Sequence, residues 1–245
     1  MRVAILCPTH NRAGTIGEAI ESCLRQSAEW WDLFVLDDGT EDETEAVVRS
    51  FADPRIHYRR PPKAPGNEPA VRNALLAWWP ETHAFACWLD SDDVLHPERV
   101  ARQSAYMSAH PEVDVSFTDL GVFTAREAIW PLLREGATIF PRWPLDISRY
   151  AEGWPRGYRG NVNHPTAMFR VRDVPYDSRV VHGGCDVLWI MALRRAGRRL
   201  GYLADQLYYL RQWEGRLTKR RDALPQDVLT DEVAMIRRAV AELVV

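Results

Sequence analysis

Ala84-Phe85-Ala86-Cys87-Trp88-Leu89-Asp90-Ser91-Asp92-Asp93 is an unbroken apolar run that stops on three carboxylates. An apolar run of this length without polar alternation reads as a strand buried on both faces. Two earlier runs end the same way. Val3 to Cys7 gives out at Pro8-Thr9-His10-Asn11-Arg12, and Leu33 to Leu36 gives out at Asp37-Asp38-Gly39. Helical periodicity fills the gaps between them: Ile16, Ala19, Ile20, Cys23 and Leu24 share one face, and further helices are expected over 43–51, 70–79 and 97–108, with Pro97 at a favoured first-turn position. Arg55 to Tyr58 and Val113 to Phe117 read as shorter strands, and Pro61 to Gly66 as a loop.

Strands alternating with amphipathic helices predict an α/β fold, a Rossmann-like three-layer α/β/α sandwich around a mainly parallel sheet. Ligands of such sheets bind outside the carboxyl ends of the strands. The polar groups at 8–12, 37–38 and 90–93 are far apart in sequence, yet this architecture brings them to one crevice.

The rest of the chain is less regular. Residues 130–165 are rich in Trp, Pro, Gly and Arg, a composition expected of a long binding loop. Val162 to Phe169 is expected to return to the sheet, 186–196 to be helical, 200–210 extended, and 228–243 a terminal amphipathic helix. The expected division is a regular α/β half, 1–120, and a less regular half of the same domain, 121–245, ending in that helix.

Composition narrows the class. A chain of 245 residues with 46% hydrophobic content can bury a sizeable core. Its net charge of −3 gives no global pull towards nucleic acid or anionic membrane. Charge is uneven, however: Arg194 to Arg221 holds nine basic residues against Asp205 and Glu214. That stretch is either a contact for a phosphorylated acceptor or a solvated face. The cysteines, Cys7, Cys23, Cys87 and Cys185, form no CxxC and read as buried thiols of a reducing compartment. With neither a signal peptide nor an apolar run of bilayer length, a soluble, cytoplasmic protein is expected.

Crowded carboxylates repel one another unless something positive intervenes. A hard divalent cation takes oxygen ligands and bridges to phosphate, so Asp90, Asp92 and Asp93 point to a metal or phosphate site; the structural alternative is a cap on the next helix. Asp37-Asp38-Gly39 suits hydrogen bonding to a ribose or base, and equally suits a turn. Neither GxGxxG nor GxxxxGK[ST] occurs, which disfavours nicotinamide and P-loop enzymes.

Pro8-Thr9-His10-Asn11-Arg12, Asp37-Asp38-Gly39-Thr40-Glu41-Asp42, Gly66 with Arg72-Asn73, and Leu89-Asp90-Ser91-Asp92-Asp93 with Pro97 occur in this order and at family spacing. Together they resemble the family 2 glycosyltransferases of the GT-A fold. The resemblance implies that Thr9, Arg12, Asp38 and Arg72 hold the nucleoside of a nucleotide sugar, with a UDP-sugar expected, and that Pro8, Asn11, Gly66 and Ser91 complete that surface. Asp90 would face the ribose and the metal, and Asp92 would hold Mn2+ or Mg2+ against the diphosphate. The family's base lies in a Glu-Asp pair opening a helix. Here Gly183-Gly184-Cys185-Asp186 matches it, with Cys185 for the Glu and Asp186 as the expected base. Leu207-Tyr208-Tyr209-Leu210-Arg211-Gln212-Trp213 resembles the family's Tyr-x-Arg-x-His segment, giving Arg211 to the diphosphate and Trp213 in place of the His.

The activity implied is inverting transfer to an acceptor hydroxyl on a glycan, a lipid-linked molecule or a small molecule. A hydroxymethylated base in DNA is an alternative acceptor. Trp154, His164, Gly183 and Gly184 are the expected acceptor-side residues, and Trp130, Trp143 and Tyr158 are further aromatics of the irregular segment. Two other classes compete. A haloacid-dehalogenase-type phosphohydrolase would use Asp90 and Asp92 but needs a downstream Lys and a later acidic pair, and only Lys219, with no Asp-Asp after it, is available. A non-catalytic nucleotide-sugar-binding module would explain Cys185.

Overall fold

A computed structural model describes residues 2–123, 164–178 and 185–212. The expected terminal helix, Trp130, Trp143, Trp154, Tyr158, Gly183, Gly184 and Trp213 lie outside the described residues.

The apolar runs form the middle of an eight-stranded sheet of order β3-β2-β1-β4-β7-β6-β8-β5. Its strands are β1 (Arg2–Thr9), β2 (Trp31–Asp37), β3 (Ile56–Arg59), β4 (His83–Trp88), β5 (Val94–Leu95), β6 (Val115–Phe123), β7 (Met168–Phe169) and β8 (Leu200–Arg211). β1 pairs in parallel with β2 from Val3↔Trp31 to Thr9↔Asp37, and with β4 from Val3↔Phe85 to Leu6↔Trp88. β3 continues the parallel set beyond β2. The short β7 runs antiparallel between β4 and β6, and β6 pairs in parallel with β8. β5 lies antiparallel on the edge of β8. All strands except β5 and β7 therefore point the same way, and their carboxyl ends share one edge.

Five helices cover the sheet among the described residues: α1 (Ile16–Leu24), α2 (Thr44–Ser50), α3 (Glu68–Trp78), α4 (Arg99–Ala109) and α5 (Cys185–Arg195). Side-chain alternation along the strands divides the core. Ala4, Leu6, Phe34, Leu36 and Trp88 pack against α3 and α5, whereas Val3, Ile5, Cys7, Leu33 and Val35 pack against α1, α2 and α4. Burial on both faces is why these strands read as continuous apolar runs. Helix α3 begins at an N-cap: Asn67 is extended and its side-chain oxygen accepts from the Ala70 amide at 2.9 Å, with proline in the first turn.

Some elements differ from expectation. The helix expected from Pro97 starts at Arg99, and the Pro97 carbonyl instead accepts the Ser27 amide at 2.8 Å. The strand expected over 113–117 runs to Phe123, because β8 supplies a partner along its whole length. All four cysteines are buried free thiols. Among the described residues no helix is long and apolar enough to cross a membrane.

Candidate active site

The three polar strand ends meet through the backbone. The Asp38 amide donates to the Thr9 carbonyl at 2.9 Å, and the Leu89 amide to the Leu6 carbonyl at 3.0 Å. The chain then turns at the acidic cluster, where the Asp93 amide donates to the Asp90 carbonyl at 3.0 Å.

The carboxylates divide into two kinds. Asp37 and Asp93 are fully buried and committed to the fold. Asp37 accepts the Thr40 amide at 2.7 Å and the Tyr58 hydroxyl, closing the turn after β2. Asp93 accepts the Tyr208 hydroxyl at 2.7 Å and the Arg211 amide at 2.8 Å, fastening the acidic turn to β8. Asp38, Asp90 and Asp92 stand around the opening. Asp38 accepts the Gly66 amide at 2.6 Å, which holds the 61–66 loop over the end of β2. Gly66 has φ +87, a left-handed conformation that favours glycine. Burial, together with neighbouring Asp37, raises the Asp38 carboxyl above its ordinary value against the opposing pull of the Gly66 amide and His10.

Arg72 is the cation of the site. It is 2% exposed, and its guanidinium bonds Glu68 at 2.7 Å and Asp90 at 2.8 Å while lying 4.9 Å from the Trp88 ring centre. Burial alone would lower its pKa, but Asp90 and Glu68 outweigh burial and hold it charged well above its ordinary value. The other terminal nitrogen of Arg72 and the hydroxyl oxygen of Thr9 are buried without a hydrogen-bond partner among the described residues.

Asn11 takes a positive φ of 51° at the turn after β1, where its side chain accepts the Glu41 amide at 2.8 Å and its own amide donates to the Thr40 hydroxyl at 3.1 Å. This brings the Arg12 guanidinium to 3.9 Å from Asp92. Pro8 is half-buried within β1, paired with Leu36, and the Ser91 carbonyl accepts the Thr15 hydroxyl at 3.0 Å. Arg211, expected to reach the diphosphate, has its guanidinium engaged by Glu18 and by the Asp92 carbonyl at 2.9 Å, over the Phe123 ring.

Helix α5 precedes β8, which runs with the parallel set, so its amino end lies at the same sheet edge as the acidic turn. Asp186 is in its first turn, half-buried. The thiol of Cys185 is pushed up by burial, then by the charges of Glu68 and Asp186. His164 is 4% exposed and packed beneath the site: it stacks on Trp88 at 5.9 Å and meets the Tyr176 hydroxyl at 2.5 Å. Burial and then Arg72 depress its pKa well below 6.5, leaving it neutral. The Arg194–Arg199 cluster closes α5 and leads into β8, with Arg194 about 12 Å along the helix from Asp186 at about 1.5 Å per residue.

A cation site would be built around Asp92 and Asp90. Among the described residues no group of three or more His, Cys, Asp or Glu is arranged to hold a metal alone. Two oxygen ligands suit a hard cation that keeps water and takes its remaining ligands from a substrate diphosphate.

Sequence reasoning missed Glu68, Glu18, Tyr176 and Tyr208. Glu18 lies on the face of α1 opposite the apolar stripe, so nothing in the sequence marked it as buried. Tyr208 and Tyr176 carried no signal either, since the groups they bond are distant in sequence.

The sheet order, the two reversed strands and the acidic turn at the parallel edge define a GT-A-type nucleotide-sugar fold. A family model described as glycosyl transferase family 2 matches residues 4–174, and the chain belongs to that family. The chain is similar to UDP-Glc:alpha-D-GlcNAc-diphosphoundecaprenol beta-1,3-glucosyltransferase WfgD of Escherichia coli, with 34% identity over 43% of this chain and 40% of that protein. It thus spans well under two thirds of that relative. Among solved structures, S. aureus TarS 1-349 in complex with UDP-GlcNAc has a TM-score of 0.70 at 18% identity, covering 100% of this chain and 72% of TarS. The mannosyltransferase PcManGT from Pyrobaculum calidifontis, in complex with GDP-Man and Mn2+, has a TM-score of 0.63 at 16% identity, covering 99% and 73%.

Proposed function

We propose that this protein is an inverting glycosyltransferase that moves a sugar from a nucleotide diphosphate sugar to an acceptor hydroxyl. The observation that carries this reading is the part-buried Arg72–Asp90 pair next to Asp92, at the sheet edge to which the amino end of the helix bearing Asp186 also comes. UDP-GlcNAc in TarS and GDP-Man with Mn2+ in PcManGT support a nucleotide sugar as donor and a divalent cation as cofactor. A UDP-sugar is the donor proposed. Residues 1–120 bind it, and 121–245 receive the acceptor and supply the base.

In this mechanism Thr9, Arg12, Asp38 and Arg72 hold the nucleoside, with Pro8, Asn11, Gly66 and Ser91 forming the adjoining wall. A cation held by Asp92 and Asp90 supplies electrostatic stabilisation to the departing diphosphate. Asp186 accepts the proton of the acceptor hydroxyl. The freed oxygen attacks the anomeric carbon, the bond from that carbon to the diphosphate oxygen breaks, and a single displacement inverts the centre. Arg211, tied to Glu18 and the Asp92 carbonyl, keeps the acidic turn in place. The acceptor class proposed is a glycan, a lipid-linked glycan or a small molecule. The lipid diphosphate in WfgD's name makes a lipid-linked glycan the first to try.

Thermal stabilisation by UDP, GDP, CDP, ADP and dTDP, each with and without Mn2+, tests the donor site. One nucleotide should raise Tm, more with Mn2+, and Asp92→Asn should erase the Mn2+ increment. No stabilisation by any of them would overturn the reading.

A further inference from the structure

Tyr176 touches α3, which carries Arg72, the end of β4, which leads into Asp90, and α5, which carries Asp186. Its backbone is clamped by Asn73, the neighbour of Arg72 on α3: the Asn73 side-chain amide donates to the Tyr176 carbonyl at 2.9 Å, and the Tyr176 amide donates to the Asn73 side-chain oxygen at 2.7 Å. Its ring lies flat on Trp189 of α5, with centroids 5.1 Å apart and planes within 6°. Trp189 is three residues on from Asp186, on the same helix, and its indole N–H donates to the Val174 carbonyl at 2.9 Å, so it is held on both sides. The Tyr176 hydroxyl meets His164, whose ring stacks on Trp88, and Trp88 ends the strand that leads into Asp90. Tyr176 also meets Trp88 directly, edge to face at 5.8 Å. One residue therefore bridges α3 through its backbone, and the end of β4 and α5 through its ring.

We propose that Tyr176 is a positioning residue that fixes the separation of Asp186 from the Arg72–Asp90 donor clamp. This rests on the glycosyltransferase reading above. The physical reason is that β4 is fixed by strand pairing, whereas α3 and α5 pack on the sheet through side chains and Tyr176 is a packing element common to both. Stacking against Trp189 sets the height of the first turn of α5, and the pair of hydrogen bonds to Asn73 refers it to the helix that carries Arg72. With both ends fixed, the carboxylate of Asp186 meets an acceptor hydroxyl at a defined distance from the donor. Neutral His164 suits this role: its Nε2 shares a hydrogen bond with the Tyr176 hydroxyl and it sets no second cation beside Arg72.

Displacing a reacting group by about 1 Å lowers turnover by up to roughly a hundredfold while leaving the binding of the other substrate alone. The test uses the full chain with UDP-GlcNAc and Mn2+ as the probe, following UDP release, alongside UDP affinity by calorimetry. Tyr176→Leu removes stack and hydroxyl; Tyr176→Phe keeps the stack. The expected result is a kcat lowered about tenfold or more in Tyr176→Leu, with UDP affinity and donor KM within about twofold of wild type, and recovery of much of that kcat in Tyr176→Phe. Trp189→Leu should repeat the Tyr176→Leu pattern, and it keeps the inference testable if Tyr176→Leu does not fold. Unchanged kcat in folded Tyr176→Leu or Trp189→Leu, or parallel loss of kcat and UDP affinity, overturns the positioning role. Absence of nucleoside diphosphate release by wild type across UDP-, GDP- and dTDP-sugars would instead overturn the glycosyltransferase reading.

Discussion

Replacing Arg72 with methionine probes the charge arrangement most severely. The substitution keeps an unbranched stem against Trp88 and removes the cation that Glu68 and Asp90 share at 2.7 and 2.8 Å. Breaking a fully buried pair by deleting one partner costs about 3–5 kcal/mol, and an exposed pair about 0–1. Arg72 is at the buried limit, with side-chain exposure of 3%, but Asp90 at 23% and Glu68 at 35% still recover water once the cation is gone. Losing the unpartnered nitrogen of Arg72 also relieves the fold of a buried unsatisfied donor. The balance falls between the two limits, at about 2 kcal/mol of lost stability, a sizeable share of the ~5–15 kcal/mol of a typical domain. Urea denaturation at neutral pH measures it, and a double-mutant cycle with Asp90→Asn isolates the pair, with an expected coupling of about 1–2 kcal/mol. Coupling below about 0.5 kcal/mol, or a variant as stable as the wild type, would refute the view that Arg72 and Asp90 form one unit.

Other consequences follow from the same contacts. Asp93→Ala strips the acceptor from both the Tyr208 hydroxyl and the Arg211 amide, so stability should fall by about 2–4 kcal/mol and UDP affinity with it; a calorimetric scan and a titration read both. Asn67→Ala removes the cap of α3 and should lower the urea midpoint by the equivalent of about 1 kcal/mol. His164 is held neutral in the fold, so the unfolded chain takes its proton first as pH falls below 6.5. Its contribution is fully present above that pH and is lost on acidification at up to about 1.4 kcal/mol per pH unit, a slope that His164→Gln should remove from the urea midpoint measured between neutral and acid pH.

The parallel core was legible because strands buried on both faces leave uninterrupted apolar runs, as in 3–7, 33–36 and 84–89. Each run also announced its end, which is why the convergence of Thr9, Asp38 and Asp90 followed from the pattern. The acid pairs were harder. Nothing local distinguishes Asp37 from Asp38, or Asp93 from Asp92; the difference is whether Tyr58 or Tyr208 reaches the carboxylate, and both tyrosines come from other strands. β5 and β7 were obscure for a related reason: each is two residues long, too short for any period, and exists because a neighbouring strand offers pairing. Arg211 was recognisable by its segment, but its engagement with Glu18 depends on a contact spanning nearly the whole described chain.

The account turns on Asp186 as base opposite a donor held by Arg72, Asp90 and Asp92. Asp186→Asn is nearly isosteric and cannot accept the proton. UDP release from UDP-GlcNAc with Mn2+, measured beside UDP affinity on the same sample, is the direct test, using whichever nucleotide sugar the thermal screen selects. The expected result is unchanged nucleotide affinity with turnover reduced by at least about a hundredfold. Near-normal turnover by Asp186→Asn would contradict the assignment of the base.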